Sequence, residues 1–352
     1  MKLVSYRDAL AASMRDALRK NPKSLVYGLC VTDHTGIFGT TLGLEKEFGS
    51  ERVFDTPLSE DAMTGFAVGA ALGGLYPVHI HIRCDFMMLA MNQLVNSAAK
   101  YKYMSGGGFT VPMLVRGVIG RSWGQGAQHS QSLQALFAHI PGLTVIMPSS
   151  AQRVRDSYAY AVNHYKSPVI SLEHRLLYDY VFEPEEEAPR KNPFTSYLVQ
   201  KGGDVTIVAA SIMVQEAQRA ASFVKKTAGI GVEIIDLNCL SHPDTGMILK
   251  SVKKTGRLIV ADTGWASYGA CAEVCRMIAV TDPRALKAPV ESISMAKTPC
   301  PTTKALEKHF YPDMGDIVAS IYRLCYGGKK HRHPLPSDDF KRRFYKEFKG
   351  PF

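Results

Sequence analysis

Short apolar runs recur along this chain, separated by stretches with helical spacing. Leu25–Val31, Pro77–Ile82, Pro112–Val118, Thr144–Met147 and Val169–Glu173 are apolar on both faces. Continuous runs of that kind predict parallel strands buried on both sides, since a half-exposed strand alternates instead. Between them, residues 60–74 are rich in Ala and Gly, which permits close packing. Residues 86–104 place Met, Leu, Val and Ala on one face and predict a longer helix. Residues 149–165 open on Ser149-Ser150, a helix N-cap signal. Near the amino terminus, Ser5 with Asp8 has capping-box spacing, and Leu10, Met14 and Leu18 share a face. That stretch predicts a structural helix and lacks the apolar core of an export signal. Strand and helix thus alternate as in an α/β fold with a mainly parallel sheet.

The pattern breaks at 180–203, where EPEEEAPRKNPF is charged and proline-containing, and then restarts. Asp204–Ala210, Val232–Leu237, Leu258–Asp262 and Val290–Ser294 predict strands, and 213–227, 244–254, 266–280 and 313–325 predict helices. The expected organisation is a first domain over 1–185, a linker over 186–203, a smaller α/β domain over 204–326 and a tail over 327–352.

Composition changes this picture in one place. Of 352 residues, 46% are hydrophobic, as in globular chains, and the formal net charge is +10. Residues 327–352 hold 8 Lys+Arg against 3 Asp+Glu, so half of the net charge sits in the tail. The remainder is a nearly balanced body, and the tail reads as a solvated or partner-docking extension. No nucleic-acid module is recognisable, and no apolar window is long enough for a membrane helix. The 7 cysteines show no C-x-x-C spacing, which points to reduced thiols in a cytoplasm-like compartment, or in mitochondria for a processed form.

Three glycine-bearing loops stand out: 105–108, 117–126 and 264–269. Ligands of open α/β sheets gather at the carboxyl ends of strands, which favours the second loop. It runs into Ala127-Gln128-His129-Ser130-Gln131, placing a titratable histidine in a polar, glycine-lined setting. Neither a phosphate-binding P-loop pattern nor zinc-ligand spacing occurs.

Several segments in one register then resemble a known family. Phe54-Asp55-Thr56-Pro57-Leu58-Ser59-Glu60 is similar to the FDTPI-Ser/Thr-Glu segment of beta subunits of the thiamine-diphosphate-dependent component of 2-oxoacid dehydrogenases, in the transketolase superfamily. GFAVGAALGGLYPV (65–78), NQLVNSAAKYKYMSGG (92–107), AQHSQ (127–131), HIPGLTVIMPSS (139–150) and SPVISLEHRLLY (167–178) fit the same family in order. GGDVTIVAAS (202–211), VEIIDLNCLSHPD (232–244) and SVKKTGRLIVAD (251–262) look like the transketolase C-terminal domain. The resemblance implies a pyrimidine-binding domain with a parallel sheet and flanking helices, followed by a smaller transketolase C-terminal-type domain.

It also implies roles. Glu60 would exchange a proton with the pyrimidine ring of thiamine diphosphate and so activate it. Phe86 would stack on that ring, and His129 would steady the reacting 2-oxo acid or assist acyl transfer. The G-D-G…N segment that holds the diphosphate and magnesium in this class is absent. The resemblance therefore implies a magnesium-binding alpha subunit, no metal held by this chain, and a complex of two alpha and two beta chains. The acceptor implied is a lipoyl group on an acyltransferase. A split transketolase passing a ketol unit from a ketose phosphate to a sugar or aldehyde is the second reading, and a non-catalytic scaffold the third.

Departures bear on the substrate. Gly28-Leu29-Cys30-Val31 lacks the acidic residue usual after the first strand, and HIHIRCDF (79–86) replaces an apolar or acidic-apolar run. Arg83, Arg121 and Gln128 are candidate substrate contacts, the two arginines for a carboxylate or phosphate. The alternative for both arginines is a position facing solvent or the alpha subunit.

Overall fold

The computed structural model describes residues 3–120, 124–183, 190–327, 333–342 and 345. Six strands form the first sheet: β1 Ser24–Gly28, β2 Val53–Asp55, β3 Tyr76–His81, β4 Leu114–Ile119, β5 Thr144–Ile146 and β6 Val169–His174. Their order is β2-β1-β3-β4-β6-β5, and every pairing is parallel. β1, β3, β4 and β6 are buried along their whole length, as their unbroken apolar runs predict. β2 is short and half-exposed at the sheet edge, so its apolar signal is weak.

Helix α1 (Tyr6–Lys20) is capped by Ser5, which accepts from the Asp8 amide. Helix α2 (Glu60–Leu72) carries the Ala/Gly pattern, and α3 (Ala151–Asn163) is capped by Ser150. The segment expected as one long helix over 86–104 is wound differently. Cys84–Ala90 is a 3₁₀ helix, Asn92–Ala98 a π-helical turn, and Tyr101–Met104 a single α turn. Apolar spacing sets which face turns inward but not the winding. Met87 is held close against Gly117, where an added Cβ would lie 2.5 Å from the sulfur.

The second sheet contains β7 Tyr197–Gln200, β8 Val205–Ala209, β9 Val232–Asp236, β10 Leu258–Ala261 and β11 Glu291–Ile293, in the order β11-β10-β8-β9-β7. β7 falls inside the segment read as a linker, and pairs antiparallel with β9 across a register shift. Helices α4 (Ile212–Ala228), α5 (Thr245–Thr255), α6 (Ala270–Thr281) and α7 (Met314–Tyr326) cover the sheet. The two units meet through backbone. Ile146 bridges Cys239, the Met147 amide donates to the Asn238 carbonyl at 2.7 Å, and the Leu240 amide donates to Val145 at 2.9 Å.

The tail departs from expectation. Its described residues lie against α4 and α7 rather than free in solvent. Arg219 donates to the carbonyls of Phe340 (3.2 Å) and Lys341 (2.8 Å), Phe340 packs on Phe223, and Tyr345 hydrogen-bonds Glu216. The reading of a solvated or partner-docking extension overlooked Phe340, which packs on Phe223 of α4 while staying 44% exposed.

A buried ion pair crosses the first sheet. Arg116 on β4 reaches both oxygens of Glu173 on β6, at 2.7 and 2.8 Å, and neither side chain is more than 1% exposed. Tyr158 and Tyr178 also donate to Glu173. Burial and the Glu173 charge push both phenol pKa values up, so both hydroxyls stay protonated donors. Removing one partner strands the other charge in the core, a loss of about 3–5 kcal/mol. Glu173→Gln should therefore lower stability by roughly 3 kcal/mol in chemical denaturation. An unchanged midpoint would show that the pair contributes nothing.

Candidate active site

Strand order reverses between β1 and β3, because the chain passes from β1 outward to β2 and then returns. Loops leaving the carboxyl ends of β1 and β3 therefore diverge and leave a crevice, the usual ligand position in an open α/β sheet. A small cleft lies there, lined among others by Leu29 after β1, Thr56 and Pro57 after β2, Glu60 and Met63 on α2, and Phe86 beyond β3. The backbones crowd at its floor. An added Cβ on Gly28 would sit 2.2 Å from the Ile80 carbonyl oxygen, so no side chain fits. Asp55 ties the two left-hand loops together by accepting from the Val31 (2.6 Å) and Thr32 (3.0 Å) amides.

The structure brings together most of the residues singled out in the sequence. Glu60 is the first residue of α2, half-buried, where the helix dipole favours a carboxylate. Phe86 and Arg83 line the same cleft. His129 meets the Phe86 ring edge-on, with centroids 5.1 Å apart and planes at 74°. Gln128 is exposed on the loop beside it. Arg121 lies outside the described residues.

Arg83 is not a surface side chain. It is 3% exposed, donates to the Gly120 carbonyl at 3.0 Å, and also hydrogen-bonds Gln125. Burial lowers its pKa to about 10, which still leaves it charged at neutral pH. Its alternative placement toward solvent is thereby corrected: strand β3 turns it inward. Gly120, which receives it, has φ +80°, and a Cβ there would lie 2.1 Å from His174 Nε2, so both conformation and space demand glycine.

Other cleft residues were not foreseen as functional. His79 and His81, two apart on β3, point to one face and are 3% and 4% exposed. His79 stacks on Tyr27, with centroids 4.8 Å apart, and meets His81 at 4.3 Å. Both nitrogens of His79 and Nε2 of His81 have no hydrogen-bond partner among the described residues. Burial lowers the His79 pKa to about 4 and holds that of His81 well below its ordinary value, so both rings are neutral. Asp85 is also buried and accepts from Gln131. The signal for these residues was a charged and imidazole-bearing stretch where an apolar run was expected.

The strand order, the crevice at its reversal and the acidic and aromatic groups lining it define a transketolase-type pyrimidine-binding chain. Residues 2–180 match the transketolase pyrimidine binding domain family and residues 195–317 the transketolase C-terminal domain family. The chain belongs to the family of pyruvate dehydrogenase E1 component beta subunits. It is 39% identical over 332 residues to the mitochondrial subunit beta-1 of Arabidopsis thaliana, covering 93% of this chain and 91% of that one. It is 37% identical to the subunit beta of Rickettsia felis, covering 92% and 98%. Its fold also matches a solved split-gene transketolase described as an inactive beta4 tetramer, with TM-score 0.72 and 21% identity over 92% of this chain and 98% of that one.

Two outcomes follow from this geometry. Gly28→Ala forces backbone against backbone and should cost at least about 2 kcal/mol of stability, measurable by urea unfolding; a neutral effect would contradict the close approach. His79 has a folded pKa of about 4 against an ordinary 6.5. The unfolded chain therefore takes up a proton between those values that the folded chain refuses. The stability contributed is complete above pH 6.5 and falls by about 3 kcal/mol as pH drops toward 4. His79→Phe should flatten that acid limb in unfolding free energies measured from pH 4 to 8.

Proposed function

We propose that this chain is the pyrimidine-binding subunit of a two-component thiamine-diphosphate enzyme that decarboxylates a 2-oxo acid and passes the acyl fragment to a lipoyl group. The observation that carries the reading is Glu60 at the start of α2, in the crevice where the sheet order reverses, with Phe86 lining the same cleft. The lining fits a pyrimidine. Leu29, Met63, Ile80 and Ile82 provide apolar surface, and Glu60 provides the carboxyl that a ring nitrogen needs. Thiamine diphosphate supplies a ring carbon that becomes a nucleophile and an electron sink for decarboxylation.

The chain's own residues would act around that chemistry. Glu60 holds and exchanges a proton at its carboxyl from the first turn of α2. Phe86 offers a flat wall, and His129 lies at its edge, able to hold or move a proton near the reacting atoms. Arg83 supplies buried positive charge at the cleft, suited to the carboxylate of a 2-oxo acid. Gln128 is exposed on the loop beside His129 and is assigned to substrate contact, as is Arg121, which lies outside the described residues. His79 and His81, being neutral, add polar capacity without competing charge.

This chain contributes half of the site. No G-D-G segment is present, and among the described residues no three His, Cys, Asp or Glu side chains converge on one point. We assign magnesium and the diphosphate to an alpha subunit. Leu58, Phe66 and Leu89 border the cleft region and are 76%, 44% and 61% exposed, an apolar surface suited to a permanent partner. The relatives from Arabidopsis thaliana and Rickettsia felis are beta subunits, and the split transketolase of similar fold is inactive as a tetramer of beta chains. A complex of two alpha and two beta chains is the expected assembly. We take residues 1–185 as the pyrimidine domain and 204–326 as the body of the C-terminal domain, with 186–203 as their connection except for β7 (Tyr197–Gln200), which joins the second sheet. All 7 cysteines are free, which fits a reducing compartment such as cytoplasm.

Two measurements test this. Isothermal calorimetry should find weak binding of thiamine diphosphate to the chain alone and tight, magnesium-dependent binding once an alpha partner is added; tight binding by the isolated chain would refute the split site. Glu60→Gln should assemble normally yet lose at least about 100-fold in decarboxylation with an artificial electron acceptor. Near-normal turnover would remove Glu60 from its assigned role.

A further inference from the structure

The loop that carries His129 is fastened to the turn that carries Phe86 by two charged side chains. Asp85, one position before Phe86, accepts both the backbone amide (3.1 Å) and the side-chain Nε2 (2.9 Å) of Gln131 on the same oxygen, Oδ1. Arg83 holds Gly120 and Gln125 on the other side. His129 lies between the Gln125 and Gln131 attachments. Gly126, just after the first attachment, has φ +68°, a conformation that leaves this stretch without regular secondary structure to fix it. Asp85 is 8% exposed, and burial raises its pKa despite the Gln131 hydrogen bonds. Its Oδ2 is buried and has no hydrogen-bond partner among the described residues. A carboxyl kept in so unfavourable a place, with two hydrogen bonds directed at one loop residue, serves to locate that residue.

We propose that Asp85 is a positioning residue for the reaction: through Gln131 it sets the His129 ring against Phe86. The proposal rests on the reading that His129 and Phe86 serve the active site. The geometry makes a distinction that a general packing role would not. Asparagine keeps an acceptor in the place of Oδ1 and puts its amide where Oδ2 has no partner. Leucine keeps the volume but leaves both Gln131 donors unmet.

The test uses the chain reconstituted with its alpha partner, a 2-oxo acid and an artificial electron acceptor. Asp85→Leu should lower kcat by about 100-fold, the effect of misplacing a reacting group by roughly 1 Å. Its thiamine diphosphate affinity, measured by calorimetry, should stay within about twofold. Asp85→Asn should recover most of the lost rate. In a His129→Ala background, Asp85→Leu should add less than about threefold, because the ring it positions is gone. Hydrogen exchange should rise in 124–133 and nowhere else. Full additivity of the two changes, or an unaltered kcat in Asp85→Leu, would overturn the proposal while a slow His129→Ala enzyme left the functional reading standing. A fast His129→Ala enzyme would overturn both. If Asp85→Leu fails to assemble, Gln131→Leu provides the same background comparison, and additivity there would likewise overturn the proposal.

Discussion

Every feature of the cleft depends on the divergence of two loops, those leaving β1 and β3. Parallel strands bury their backbones on both faces, so the sheet offers a ligand nothing along its length. Only at the carboxyl ends, and only where the order of strands reverses, does a gap open between covering elements. Gly28 marks how tightly the strands approach beneath that gap, since even a methyl group would strike the Ile80 carbonyl. Asp55 then ties the loop after β1 to the end of β2, so one wall of the crevice is fixed before α2 begins. Glu60 inherits its position from those constraints.

Electrostatically the cleft is built from unequal parts. Glu60 sits in the first turn of α2, in contact with water on one side. Deeper in, His79 and His81 are too buried to charge, and Arg83 keeps its charge by binding a backbone carbonyl and Gln125. Away from the cleft, Arg116 and Glu173 neutralise each other in the core with two tyrosine hydroxyls in attendance.

Much of this was legible in the sequence, for physical reasons. Buried strands such as Val169–His174 announce themselves as unbroken apolar runs, and Ser5 and Ser150 mark helix starts because their hydroxyls meet orphan amides. Glu60, Phe86 and His129 were found through motifs rather than periodicity. What stayed hidden depends on long-range contact. β2 and β7 are short edge strands whose residues carry little apolar signal. The change of winding between Cys84 and Ala98 follows from packing against β4, which spacing cannot report. Asp85 gives no hint of its partner, because Gln131 lies 46 positions away. The tail's charge suggested solvent or a partner, whereas Phe340 and Tyr345 meet α4 of the same chain.

The backbone junction between the two units has a mechanical consequence. Val145, Ile146 and Met147 join Asn238, Cys239 and Leu240 by sheet-type pairing, and the Ser149 hydroxyl reinforces it by donating to Asp236 at 2.5 Å. A second tie runs from Gln134 to both oxygens of Asp262. A hinge at this seam would have to break backbone hydrogen bonds together with those that Ser149 and Gln134 give to buried carboxylates. The seam therefore resists hinging, which leaves the loops bordering the crevice to govern entry.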